Sequence, residues 1–88
     1  MSKINNPTPP KNEIIWAQYI INGEVAYAIT STSLRDVYHL CTINNNKCVR
    51  TNRKSKNPVD LEKIIFEKTW QLFKYDVIYK YDSLNSML

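Results

Sequence analysis

The sequence predicts an α+β domain: an antiparallel β-sheet of three to four strands, built from two hairpins, then one C-terminal amphipathic helix and room for a short closing strand. Three observations predict it. Asn22-Gly23 separates two alternating apolar runs, and Asn57-Pro58-Val59-Asp60 opens a stretch of helical periodicity. Ile, Leu, Val and Phe supply 23 of 88 residues, above the roughly 20% below which chains stay disordered. A chain of this length holds one core.

Residues 1–12 contain three of the four prolines, in Pro7-Thr8-Pro9-Pro10. Proline has no N–H to give a ladder, so this stretch reads as a flexible arm preceding a single domain over 13–88. Strand signal starts at Glu13 and covers Ile14 to Ile21, then Glu24 to about Ser31. Asn-Gly suits the type I′ turn between them, which needs φ > 0 at both central residues. The turn sets the expected pairs: Ile21 with Glu24, Ile20 with Val25, Gln18 with Tyr27 and Trp16 with Ile29. Ile14, Trp16, Ile20, Val25, Tyr27 and Ile29 then form the expected core face. The opposite face carries Ile15, Ala17, Tyr19, Ile21, Glu24, Ala26, Ala28 and Thr30. It is apolar enough to call for a second layer or a partner.

Leu34 to Ile43 fits two periods. Leu34, Val37, Tyr38 and Cys41 match helical spacing, with Ser33 and Asp36 as a capping pair. The β-branched and aromatic content of Val37 to Ile43 favours a strand instead, leading through a three-residue turn at Asn44-Asn45-Asn46 into Lys47 to Arg53. A second hairpin is the preferred reading. Asn57 then caps a helix with Pro58 at its first position, expected to continue to about Tyr75. Leu61, Ile64, Ile65, Leu72 and Tyr75 form one apolar stripe, while Val59, Phe66, Trp70 and Phe73 form a second. Residues 77–82 alternate like a strand, yet nothing stops the helix before them.

Composition removes several functional classes. One glycine, Gly23, rules out the Gly-rich loops that cradle phosphates in nucleotide-dependent enzymes. No apolar run reaches the roughly 20 residues of a membrane span, and the first twelve residues lack a signal-peptide core. A cytoplasmic protein without membrane contact is the expectation. Cys41 and Cys48 read as reduced buried hydrophobes, pointing to opposite faces across a three-residue turn. With His39 they have the spacing His-x-Cys-x6-Cys, short of the four ligands of a structural zinc site. No metal, cofactor or catalytic residue is assigned, and Asp60, Glu67 and Asp76 read as helix-surface carboxylates. Asn, Ile and Lys make up 29 residues, a bias that an AT-rich genome imposes. A low-GC bacterium, its phage or another AT-rich virus is the expected source.

The net charge is +4, and it is unevenly spread. Lys47, Arg50, Arg53, Lys54 and Lys56 lie within ten residues, with no acid between Asp36 and Asp60. Thr51, Asn52, Ser55 and Asn57 are interleaved as short donors, and the segment feeds the positive end of the helix dipole. This is the candidate nucleic-acid-binding segment. Against it stands a structural reading, an edge strand kept basic to prevent edge-to-edge pairing. In element order, Ile14 to Tyr75 is similar to the small DNA-binding domains that precede some phage integrase catalytic domains. That likeness, which no motif carries, implies a sheet entering the major groove.

The expected function is a non-enzymatic binding protein of a phage or mobile element, engaging nucleic acid or a nucleoprotein complex. The alternative is a protein-only inhibitor of a host defence protein, using the aromatic surface of Phe66, Trp70, Phe73, Tyr79 and Tyr81, where a second copy could also dock as a homodimer. A small toxin or nuclease is the third class.

Overall fold

Five antiparallel strands and one helix follow one another in the computed structural model, which describes residues 6–33, 36–69 and 75–79. The strands are β1 (Ile14–Ile21), β2 (Glu24–Ser31), β3 (Tyr38–Asn44), β4 (Lys47–Ser55) and β5 (Tyr75–Tyr79). Helix α1 spans Pro58–Thr69, between β4 and β5. The spatial order β4-β3-β2-β1-β5 makes β4 and β5 the edges of the sheet.

The first hairpin turns at Asn22 and Gly23, both at positive φ, 55° and 86°. Ile21 faces Glu24 and Ile20 faces Val25, as the sequence predicts. Beyond them the register departs from expectation. Tyr19 pairs with Tyr27, Gln18 with Ala28 and Ala17 with Ile29, so Ala26 is an extra residue on β2. Trp16 is then an extra residue on β1, because Ile15 pairs with Thr30. Each irregularity shifts the pairing by one and exchanges the faces locally. The predicted core face is therefore corrected: Ala17 and Tyr19 join Tyr27 and Ile29 against the helix, while Ile20 does not.

That helix-side cluster contains Ala17, Tyr19, Ile29, Tyr38, Leu40, Leu61 and Ile65, with Trp16, Tyr27, Ile64, Phe66 and Val77 packed against it. Leu61, Ile64 and Ile65 are the first stripe of the helix, on the sheet as their spacing predicts. Asn57 caps that helix, its Oδ1 accepting the Val59 N–H at 3.0 Å. Tyr75, expected on the helix, instead opens β5, which pairs antiparallel with the outer edge of β1. Asp76 is likewise a strand residue. The open edge of β1 offers Tyr75–Tyr79 a ladder that local helical spacing cannot reveal. Leu72 lies outside the described residues.

The second face of the sheet carries its own cluster: Ile15, Ala28, Cys41 and Cys48, with Ile43 beside it. The N-terminal arm lies beside it, with Pro7 and Pro9 lining a cleft together with Ile15. Pro7 is buried. Thr8 makes a parallel bridge to Lys47, donating to the Asn46 carbonyl at 2.9 Å and accepting from the Cys48 N–H at 2.8 Å. The expectation of an arm outside any ladder fails at this one residue, the only non-proline in Pro7-Thr8-Pro9-Pro10 and so the only one there with an N–H to offer.

Candidate nucleic-acid interface

The basic segment begins at a turn shorter than the sequence suggests. Asn44 pairs directly with Lys47, leaving Asn45 and Asn46 as a two-residue turn with φ of 52° and 61°. Asparagine tolerates this left-handed geometry, so two consecutive asparagines can stand in for Asn-Gly. One residue fewer in the turn reverses every side chain of β4. Cys41 and Cys48 therefore share a face, contrary to expectation, and both are buried and reduced. Burial pushes the Cys48 thiol up to about 12, with the Cys41 charge adding to it. Burial also raises Cys41, partly offset by the Thr30 hydroxyl.

Along β4, Lys47 and Val49 stand opposite Asn44 and Thr42, while Cys48 and Arg50 stand opposite Ile43 and Cys41. The ladder then slips, and Lys54 faces His39. Thr51 and Arg53 shape this bulge: the Thr51 hydroxyl donates to the Leu40 carbonyl at 2.8 Å and accepts the Arg53 N–H at 3.1 Å. The basic residues thus form a ridge along the sheet edge rather than one flat face. All five are exposed.

Arg50 differs from the other four. Its guanidinium is ion-paired with Glu13, whose side chain is 1% exposed against 44% for Arg50. The other Glu13 oxygen accepts the Thr30 hydroxyl at 2.7 Å, and Thr30 touches the Cys41 sulfur at 3.4 Å. Arg50 therefore ties the residue between the arm and β1 to the edge strand. Lys47, Arg53, Lys54 and Lys56 make no ion pair among the described residues.

Two of the four interleaved donors, the hydroxyls of Thr51 and Ser55, are committed to local structure. Thr51 holds the bulge, Ser55 donates to Asp60 at 2.9 Å, and Asn57 caps the helix. The helix end is similarly closed to an anion: Pro58 has no N–H, Val59 and Asp60 donate to Asn57, and the Asp60 carboxylate sits in the first turn. The hydroxyls of Thr51 and Ser55 are therefore not free donors for a phosphate, whereas Asn57 caps through its accepting oxygen and keeps its amide donor. What remains besides is charge. Asp36, the acid preceding the run, is held below its ordinary range by the Val37 N–H, then by Thr32, His39 and Lys56.

Of the aromatic surface, Trp70, Phe73 and Tyr81 lie outside the described residues. Phe66 is half-buried and stands edge-on to Tyr19. Tyr79 is edge-on to Trp16, with ring centroids 5.3 Å apart, and donates to Glu62 at 2.6 Å. Tyr19 donates to the same Glu62 oxygen, also at 2.6 Å. Sequence reasoning missed both buried carboxylates, Glu13 and Glu62, because neither lies in a motif.

Among the described residues no three His, Cys, Asp or Glu side chains gather to hold a metal, and no helix is long and apolar enough to cross a membrane. Comparison with known proteins finds no matching family model, no similar curated protein and no similar solved structure.

Proposed function

We propose that this chain is a small non-enzymatic protein that binds the phosphate backbone of nucleic acid along β4, as an accessory protein of a phage or mobile element. The observation carrying this reading is the ridge of Lys47, Arg53 and Lys54 on the edge strand with Lys56 just after it, all exposed and none ion-paired with a described carboxylate. Charge without committed hydrogen-bond donors suits backbone attraction, which is independent of sequence. The sheet-in-groove mode of the integrase-type domains gains no support, because the arm bridges the edge strand at Thr8 and Glu13 bonds to Thr30 of β2 on the face away from the helix.

Fluorescence anisotropy with labelled duplex and single-stranded oligonucleotides at low salt tests the reading. Four phosphate contacts would give a log–log salt slope of about 3 to 4 on duplex. Replacing Arg53, Lys54 and Lys56 by Gln should abolish binding and leave the melting temperature unchanged, since exposed unpaired charges contribute little to stability. Absence of binding by the wild type at low salt removes the proposal. Arg50 is kept in this variant because it is already ion-paired.

A further inference from the structure

Beneath the N-terminal arm lies a cleft of about 460 Å³ lined by Asn6, Pro7, Pro9, Glu13, Ile14, Ile15 and Gln18. We propose that this cleft is a nucleobase site in which the Gln18 carboxamide pairs with an adenine edge. The inference takes its ligand class from the nucleic-acid reading above and adds a base-recognising element to it.

Gln18 carries the argument. It is fully buried in the middle of β1, and both Oε1 and Nε2 lack a hydrogen-bond partner. Its cross-strand neighbours are Ala28 on β2 and Ile78 on β5, neither with a polar side chain to offer. A buried amide left unsatisfied lowers stability, and an apolar residue of the same shape would avoid that. The position therefore holds a polar group that the fold does not use, at the wall of a cleft within the size range of small-ligand sites.

The chemistry of the cleft narrows the ligand. A carboxamide presents an acceptor beside a donor and is met by an edge presenting a donor beside an acceptor. Every nucleobase offers such a pair, uracil at N3 and O4 among them. Adenine offers it on two edges, N6 with N7, the usual partners of Gln, and N6 with N1, and its double ring covers more of the apolar walls. The remaining walls, Pro7, Pro9, Ile14 and Ile15, offer apolar surfaces for the faces of a flat ring. Glu13 in the lining is neutralised by Arg50, which is 44% exposed and can meet a phosphate. The Gln18 amide atoms are out of contact with solvent, so a base reaches them only when the arm beside the cleft lifts. Among the described residues its backbone ladder holds at Thr8, because Pro7, Pro9 and Pro10 have no N–H, and the Asn46 side-chain amide adds a donation to the Asn6 carbonyl at 3.4 Å.

Titrating the full-length, ¹⁵N-labelled protein with adenosine tests this without any oligonucleotide. The expected result is a saturable shift of the Gln18 side-chain amide and of the Ile14 and Ile15 signals, stronger than with uridine. Gln18→Leu should fold with an equal or higher melting temperature and weaken adenosine binding about tenfold or more. No shift at millimolar adenosine, the amide holding only water, overturns the proposal, as does a Leu variant that binds like the wild type. Oligo(dA) and oligo(dT) separate the two readings. Adenosine binding without oligonucleotide binding supports the cleft and removes the backbone-binding function; oligonucleotide binding without adenosine binding does the reverse.

Discussion

Arg50 closes over Glu13, so that a nearly inaccessible carboxylate at the foot of β1 is neutralised by a half-exposed guanidinium from the edge strand β4. This contact makes one member of the basic segment structural. Arg50→Gln should lower stability by about 2 kcal/mol, below the 3 to 5 of a fully buried pair because Arg50 is partly solvated. Lys54→Gln should change it by less than about 0.5 kcal/mol. Urea midpoints of the two variants make the comparison. Equal midpoints would show that Glu13 does not depend on Arg50.

Glu62 accepts both Tyr19 and Tyr79 on a single oxygen, linking α1 to β1 and to its neighbour, the edge strand β5. Hydrogen bonds to a charged group contribute about 1.5 to 3 kcal/mol. Tyr19→Phe, in a fully buried setting, should cost about 2 kcal/mol, and Tyr79→Phe about 1, since Tyr79 is 48% exposed. Because the two share one acceptor, the double variant should depart from the sum of the singles. Strict additivity in denaturation curves would mean the shared acceptor is misassigned.

The thiols predict a pH dependence. Cys48 is raised from 9.0 to about 12 by burial and then by Cys41, so the folded protein holds this proton more tightly than the unfolded chain. The associated stability is complete below 9.0 and is lost as pH climbs from there toward about 12. Below pH 9.0 both cysteines should resist a thiol reagent in the native protein and react fully in denaturant. Rapid native labelling of either would contradict their burial.

Gly23 has φ of +86°, and a Cβ built there meets nothing within 4 Å. Substitution is therefore penalised by backbone strain alone. Gly23→Val should cost about 1 to 3 kcal/mol, whereas Gly23→Asn should be nearly neutral, because asparagine visits this region readily. Melting temperatures for the pair decide it. A Val variant as stable as the Asn variant would mean the turn relaxes out of its left-handed form.

The elements most legible in the sequence were those with local causes. Asn22-Gly23 marks a turn by backbone sterics, and Asn57-Pro58 marks a helix start by capping chemistry, so the first hairpin and the onset of α1 stand where they were expected. The candidate site was legible only as charge: the spacing of Lys47 to Lys56 is visible in one dimension, but the pairing of Arg50 with Glu13 is not. Neither is the use of Thr51, Ser55 and Asn57 as bulge, turn and cap.

By itself the sequence determined the strand–turn–strand beginning, the helix with its Leu61, Ile64 and Ile65 stripe, and a basic segment preceding it. Each follows from interactions between residues a few positions apart. Only the tertiary structure decided the rest. The extra residues Ala26 and Trp16 exchange the faces of the first hairpin, and the two-residue turn at Asn45 and Asn46 reverses β4. Tyr75–Tyr79 leaves the helix to extend the sheet, the arm bridges the edge strand at Thr8, and Glu13 bonds to Thr30 of β2. All of these are set by partners distant in the chain, and the first two are changes of register. A one-residue change in register costs little locally yet moves every following side chain to the other face, so its outcome is set by which long-range packing buries the most apolar surface and pairs the most backbone.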